Sequence, residues 1–283
     1  MSYRKIKEAL QSIPTMEGAG VRLKRGFGHG QAPRFDPFLM LDDFHSSDPA
    51  DYLAGFPWHP HRGIETITYL LEGMVEHGDS MGNTGTIGAG DVQWMTAGSG
   101  VIHQEMPQES PTGTMWGLQF WANLPADRKM MPPRYQDVKA ADIPEVTLTG
   151  GVTVKIIAGS VNGVEGPVKD IIIEPEMLDI TIPAGTLYEH PLPAGHTVFV
   201  YLLSGGALFD ESGKEYHQET VLLFGSEGDA VKVETGNGIV RFVLVSGKPL
   251  GEPVAWGGPI VMNSREELQL AFKEYEKGTF IKQ

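Results

Sequence analysis

The chain has 283 residues, no cysteine and a formal net charge of −14. That length serves one large domain or two ordinary ones. The missing thiols exclude disulfide scaffolds, thiolate metal sites and cysteine nucleophiles, and they favour a cytoplasmic setting. The acidic balance, relieved only at Arg22-Leu23-Lys24-Arg25, excludes direct nucleic-acid binding and disfavours anionic membranes, and neither a signal peptide nor a bilayer-spanning apolar run is expected.

Thirty-six glycines and 20 prolines, scattered rather than periodic, suit an all-β chain with many tight turns. In chain order, His59-Pro60-His61 reads as part of a strand. Ile64–Leu71 follows and ends at Glu72-Gly73. Asp91–Thr96 ends at Ala97-Gly98-Ser99-Gly100. This is a tight turn between strands, because no P-loop lysine and no helix follow it. His103-Gln104-Glu105 sits in the next strand, and Thr114–Trp121 after it. Pro125–Met130 predicts a short helical turn that Pro132-Pro133 stops. Periodicity lapses at Asp137–Glu145, the expected boundary between two domains, 1–140 and 141–283.

Beyond the boundary the expected strands are Val152–Ala158, Ile171–Ile173, Leu178–Ile182, Thr197–Leu203, Thr220–Phe224 and Ile239–Val245. They are short, rich in β-branched residues and mostly bounded by turn formers. Ser264 with Glu267 reads as a capping box. Leu268, Ala271, Phe272 and Tyr275 then recur at helical spacing, which predicts a C-terminal helix.

The strands form an internal repeat. Tyr69–Gly73 recurs as Tyr201–Gly205, 132 residues on; Gly90-Asp91 recurs as Gly228-Asp229 and Gly98-Ser99-Gly100 as Gly236-Asn237-Gly238, both 138 on. On these offsets His59 falls on Pro191, His61 on Pro193, His103 on Arg241 and Glu105 on Val243. The second copy keeps the turn glycines and drops all four donors, so the donors serve chemistry in the first copy rather than the scaffold.

The chemistry follows from strand alternation. Residues i and i+2 share a face, so the HxH and HxE pairs on neighbouring strands converge three imidazoles and one carboxylate. His59, His61, His103 and Glu105 are therefore the candidate metal ligands. Three neutral histidines and one glutamate leave a dication with about one positive charge and with open positions if it is octahedral. One divalent transition metal per chain is expected. Fe(II) is preferred for an open N/O site bearing a carboxylate, with Cu, Ni, Co, Mn and Zn as alternatives. Glu65, four residues after His61 and so expected on the same strand face, is either an alternative ligand or an outer partner of an imidazole; an ordinary solvated or salt-bridged strand glutamate is an equal reading. His29 and His45 fall in loop-like sequence, and His77 beside Glu76 and Asp79 reads as a solvated hairpin end. His190 and His196 flank the degenerate second position, where a metal is not expected. Tyr188, Glu189 and His217 read as surface. Trp58, Trp94, Trp116 and Trp121 are either core or the wall of an aromatic-substrate pocket.

Phe56-Pro57-Trp58-His59-Pro60-His61-Arg62-Gly63 and Gly90–Met106 resemble the pirin family, as do Phe35–Phe44, Asn123–Ala126 and Gly258–Glu267. The resemblance spans nearly the whole chain. It implies two tandem cupin β-barrels of jelly-roll type with a C-terminal helix, and a metal only in the N-terminal barrel. The family's ligands carry over onto His59, His61, His103 and Glu105. The general cupin pattern is less well kept, with Leu53 and Gly98 where a glycine and a proline are usual, and with Glu65 at the usual carboxylate position. Some pirins are similar to quercetin 2,3-dioxygenases, which open a flavonol with O2 and release carbon monoxide. Others are iron-binding regulators of a transcription factor or metabolic enzyme. The resemblance therefore implies a flavonol-type substrate with O2, Glu105 as ligand and base, and alternatively a protein partner; a monomer is expected.

Overall fold

The computed structural model describes residues 1–110 and 112–282. It divides into two compact units: residues 13–32, 38–140 and 250–283 form one, and residues 1–12, 33–37 and 141–249 the other. A single cut at 140/141 therefore does not separate them. Two chain ends cross the expected boundary, each for a packing reason given below.

The unit that carries the histidines holds a seven-stranded antiparallel sheet. Its order is Arg134–Val138, Val92–Thr96, Ile64–Glu72, Met115–Asn123, Phe38–Ser46, Val21–Phe27, Ile13–Glu17. A four-stranded sheet runs Phe56–His61, Val101–Gln108, Met74–Asp79, Thr84–Gly88. Val101–Gln108 alternates strictly between buried and half-buried positions, the signature of a strand with one face on a core. One core joins both sheets: Val21, Leu23, Phe44, Leu70 and Met115 of the larger pack with Val75 and Ile87 of the smaller. The hairpin Ala255–Gly257/Ile260–Met262 and the helix Arg265–Glu276 complete the unit. Ile260, Met262, Ala271 and Phe280 bury together against Ile102, and Val261 buries with Leu39, Ile64, Met95 and Val101, which is why the last segment joins this unit. The capping box forms as expected: Ser264 Oγ accepts from Glu267 N at 3.2 Å, and Ser264 N donates back to Glu267 Oε2 at 2.9 Å.

The other unit repeats the plan. Its sheets run Ile6–Gln11, Thr220–Phe224, Thr197–Ser204, Val240–Gly247, Glu176–Ile182, Thr153–Ala158, Glu145–Thr147, and Leu187–Pro191, Ala230–Glu234, Gly206–Leu208, Glu215–His217. The edge place that Arg134–Val138 fills in the first unit is filled here by Ile6–Gln11, which pairs antiparallel with Thr220–Phe224. The first strand of the chain thus closes an edge that would otherwise expose unpaired N–H and C=O groups.

Strand order also corrects the repeat. Tyr69 and Tyr201 do occupy equivalent strands, but the counterpart of Val101–Gln108 is Ala230–Glu234, not Val240–Gly247. The 138-residue offset had matched turn glycines of non-equivalent strands. With His59 over Pro191, the cross-strand position of His103 belongs to Ala230; Glu105 faces Phe56, whose counterpart Tyr188 faces Val233. The donors are still absent from the second copy. Its interior is filled instead by apolar side chains such as Leu178, Val200, Phe209 and Phe242.

One short prediction fails and one holds. Ile171–Ile173 is a turn, because Asp170 (φ 59°) and Glu174 (φ 49°) bend the chain on both sides; Ile173 is buried all the same. Pro125–Met130 is one hydrogen-bonded turn, in which Pro125 O accepts from Arg128 N and Lys129 N.

Candidate metal centre

Gly63 (φ 77°) breaks the chain between His61 and Ile64, so the HxH strand and the strand after it enter different sheets. A β-carbon at Gly63 would lie 2.0 Å from Val261 O, which makes glycine obligatory there. The break explains why Glu65 does not share a strand face with His61. Fully buried in the larger sheet, Glu65 accepts from Thr96 Oγ1 at 2.7 Å and Trp94 Nε1 at 3.1 Å. It is a satisfied core carboxyl rather than a member of the histidine group.

His59 and His61 lie on one strand, and His103 stands directly opposite His59 on the next. Their ligand nitrogens lie within 4.8 Å of one another. The tautomers are fixed by backbone carbonyls. His59 Nδ1 donates to Pro57 O at 2.9 Å and His61 Nδ1 to Pro259 O at 3.0 Å. Both Nε2 atoms therefore carry lone pairs, and they face each other at 3.1 Å. Two lone pairs do not make a hydrogen bond. His103 is buried with neither ring nitrogen partnered. Burial keeps all three imidazoles neutral: it pulls His61 down to about 3, His103 well below its ordinary value, and His59 down too. Neutral rings with orphaned, convergent lone pairs fit a cation, the species that relieves all three at once.

Glu105 shares the buried face of its strand with His103 but stands outside the three-histidine group. Its Oε1 accepts from Thr68 Oγ1 at 2.8 Å. Burial pushes its carboxyl up to about 7, against the lowering effect of that hydroxyl.

A cavity of about 640 Å3 opens on the group, with His59, His61, Glu105, Gln119, Phe44, Phe56, Trp121 and Trp256 in its wall. Trp121 meets the His61 ring edge-on at 5.1 Å and lies 5.9 Å from Trp256. The other expected aromatics part company: Trp94 is core, Trp58 is 53% exposed, and Trp116 stacks on His45 in the strand Phe38–Ser46. His29 reaches the cavity and lies 5.1 Å from Trp256.

His77 is not a solvated hairpin end. It is buried, stacked on Tyr135 at 4.9 Å, 5.5 Å from the His103 ring and 3.3 Å from Asp79 Oδ2. Alternation along Met74–Asp79, with His77 and Asp79 on one face, was the sequence signal for it. No local signal announced Trp256 or the Pro259 carbonyl, which reach the site from about 200 residues away.

Fold and site together define a protein of two cupin-type units with a candidate metal centre in one of them. Residues 20–122 match the Pirin family model and residues 177–281 the pirin C-terminal cupin domain. A pirin-like protein of Caulobacter vibrioides is 42% identical over 284 residues, covering 99% of this chain and 100% of its own. Human pirin is 39% identical, covering 97% and 93%. The crystal structure of a quercetin 2,3-dioxygenase from Acinetobacter baumannii superposes with a TM-score of 0.89 at 31% identity, over 99% of both chains. The chain belongs to the pirin family.

Proposed function

We propose that this protein is a metal-dependent dioxygenase that opens a flavonol such as quercetin with O2 and releases carbon monoxide. The observation that carries the reading is the convergence of three neutral imidazoles, two of them, His59 and His61, in the wall of an aromatic cavity of about 640 Å3. The matching Acinetobacter baumannii structure, titled a quercetin 2,3-dioxygenase, supports the same reaction class.

His59, His61 and His103 would hold one divalent transition metal, Fe(II) first, with Glu105 as the fourth ligand. When bound, such an ion supplies Lewis acidity and the one-electron chemistry that a closed-shell flavonol needs to react with O2. The rest falls to the protein. Pro57 and Pro259 hold the His59 and His61 rings in one tautomer through their carbonyls. Thr68 anchors Glu105 at Oε1 and leaves Oε2 to accept the proton of the substrate hydroxyl, the role of a positioned general base. Trp121, Trp256 and Phe56 offer flat apolar faces that orient a planar aromatic and exclude water.

The test supplies quercetin and O2 to the iron-loaded protein and measures carbon monoxide. One carbon monoxide per quercetin consumed is expected, with none from a His59→Ala/His103→Ala variant. Release no greater than that of the variant overturns the proposal.

A further inference from the structure

The unit without the histidine group has a cavity of its own, about 660 Å3, walled by residues 2–7, Arg34, 195–197, 223–227 and Pro249. Every one of these residues belongs to that unit. Its charge runs against the rest of the chain. Arg4, Lys5, Lys7 and Arg34 line it against a single carboxylate, Glu227, in a protein of net charge −14. Arg34 is partly spent on Glu8, at 2.6 Å, and Lys5 lies near enough to Asp210 to favour its carboxylate form. Neither Lys5 nor Lys7 forms an ion pair among the described residues, and both are exposed.

Arg4 is the unusual member. It is 1% exposed, yet its guanidinium donates only to neutral carbonyls: Gly228 O at 3.1 Å, His196 O at 2.7 Å and Pro193 O at 3.4 Å. No carboxylate pairs with it among the described residues. A buried cation ordinarily has a counter-charge. Burial lowers its pKa, as expected for a charge without one. The wall is held in place by design of the backbone: Gly228 (φ 111°) lets Ser2 O approach to where a β-carbon would sit at 2.7 Å, and Gly225 N donates to Lys5 O.

We propose that this cavity binds a small organic phosphate, with Lys5 and Lys7 on the phosphate oxygens and Arg4 as the fixed positive charge of the wall. Lys5 and Lys7 flank the half-buried Ile6, are both exposed and both line the cavity, which puts two ammonium groups in its wall for a phosphate or diphosphate. Lysine serves such groups as a point charge. The volume lies in the range of small-molecule sites and exceeds what a bare phosphate needs, which leaves room for the organic part.

Calorimetric titration of the metal-loaded protein with ADP, inorganic phosphate and adenosine tests the proposal. Saturable binding of ADP, weaker binding of phosphate and none of adenosine are expected. Lys5→Glu/Lys7→Glu should weaken ADP at least about tenfold, and Lys155→Glu/Lys214→Glu should not. A His59→Ala/His103→Ala variant should keep full ADP affinity, which separates this site from any phosphate held at the metal centre. The proposal is overturned if ADP does not saturate, if the Lys5/Lys7 reversal has no effect, if inorganic phosphate binds as tightly as ADP, or if the histidine variant loses binding.

Discussion

At the scale of single residues, the centre is decided by who donates to whom. Pro57 O and Pro259 O take the Nδ1 protons of His59 and His61, and this leaves two lone pairs 3.1 Å apart. Such an arrangement is repulsive until a cation enters. Metal titration of His103→Ala should therefore show an affinity loss larger than the roughly 10–100-fold that removal of an outer partner costs. Trp121→Ala should keep the metal and raise KM for quercetin by about 5–30-fold, the equivalent of roughly 1–2 kcal/mol of aromatic contact; an unchanged KM would place the substrate elsewhere. The histidines were legible because strand alternation is a strict period of two. Glu65 was misplaced because that period was carried through Gly63, where the chain changes sheets. The burial of His77 is hidden from a reading of its charged neighbours, which say nothing of which face a strand buries.

At the scale of elements, the junction after the HxH strand is tied down by one lysine. Lys129 is buried, and its Nζ donates to Asn123 Oδ1 at 2.6 Å, Gly63 O at 2.9 Å and Val261 O at 3.0 Å. Burial pulls its ammonium from 10.5 down to about 8. The unfolded chain then binds more protons than the folded one between about pH 8 and pH 10, so this group's contribution to stability rises with pH across that window. Below pH 8 both states are protonated and the burial penalty is complete. The stability of the wild type relative to Lys129→Met should climb over pH 8–10 by at most about 3 kcal/mol, measured by denaturant unfolding. A flat difference would mean that the three acceptors hold the proton. Gly63→Ala, with its β-carbon against Val261 O, should cost about 3 kcal/mol or more and lower Tm by roughly 6–12 °C. Most strands were readable from β-branched runs between turn formers. Ile171–Ile173 shows the limit: a buried apolar run looks the same whether the chain passes straight through or turns, and only the backbone at Asp170 and Glu174 settles it.

At the scale of the whole molecule, each unit borrows a piece from beyond the expected boundary. The repeat was legible and its phase was not, since turn glycines recur at non-equivalent places. The crossings left no composition signal, because strand pairing at a sheet edge and burial of a helix face are contacts made at long range. Residues 250–283 supply Pro259 O to His61, and to the buried Arg62 they supply Glu274 Oε2 and Phe280 O, each at 2.7 Å. A 1–249 fragment should therefore keep all three histidines and still bind metal at least about tenfold more weakly than the whole chain, as read by a competing chelator. Equal affinity would show that the last segment is dispensable to the centre.

That dependence on residues 250–283 imposes a schedule on biosynthesis. Between the emergence of His103 and the arrival of Pro259 the ribosome must add about 156 residues, the segment 141–249 of the other unit among them. At roughly 5–20 residues per second, the histidines wait on the order of 8–30 s before their carbonyl anchors are complete. A metal held by the three histidines would thus gain its full affinity only late in the life of the nascent polypeptide, and a product of premature termination in the second unit leaves the ribosome without a finished centre.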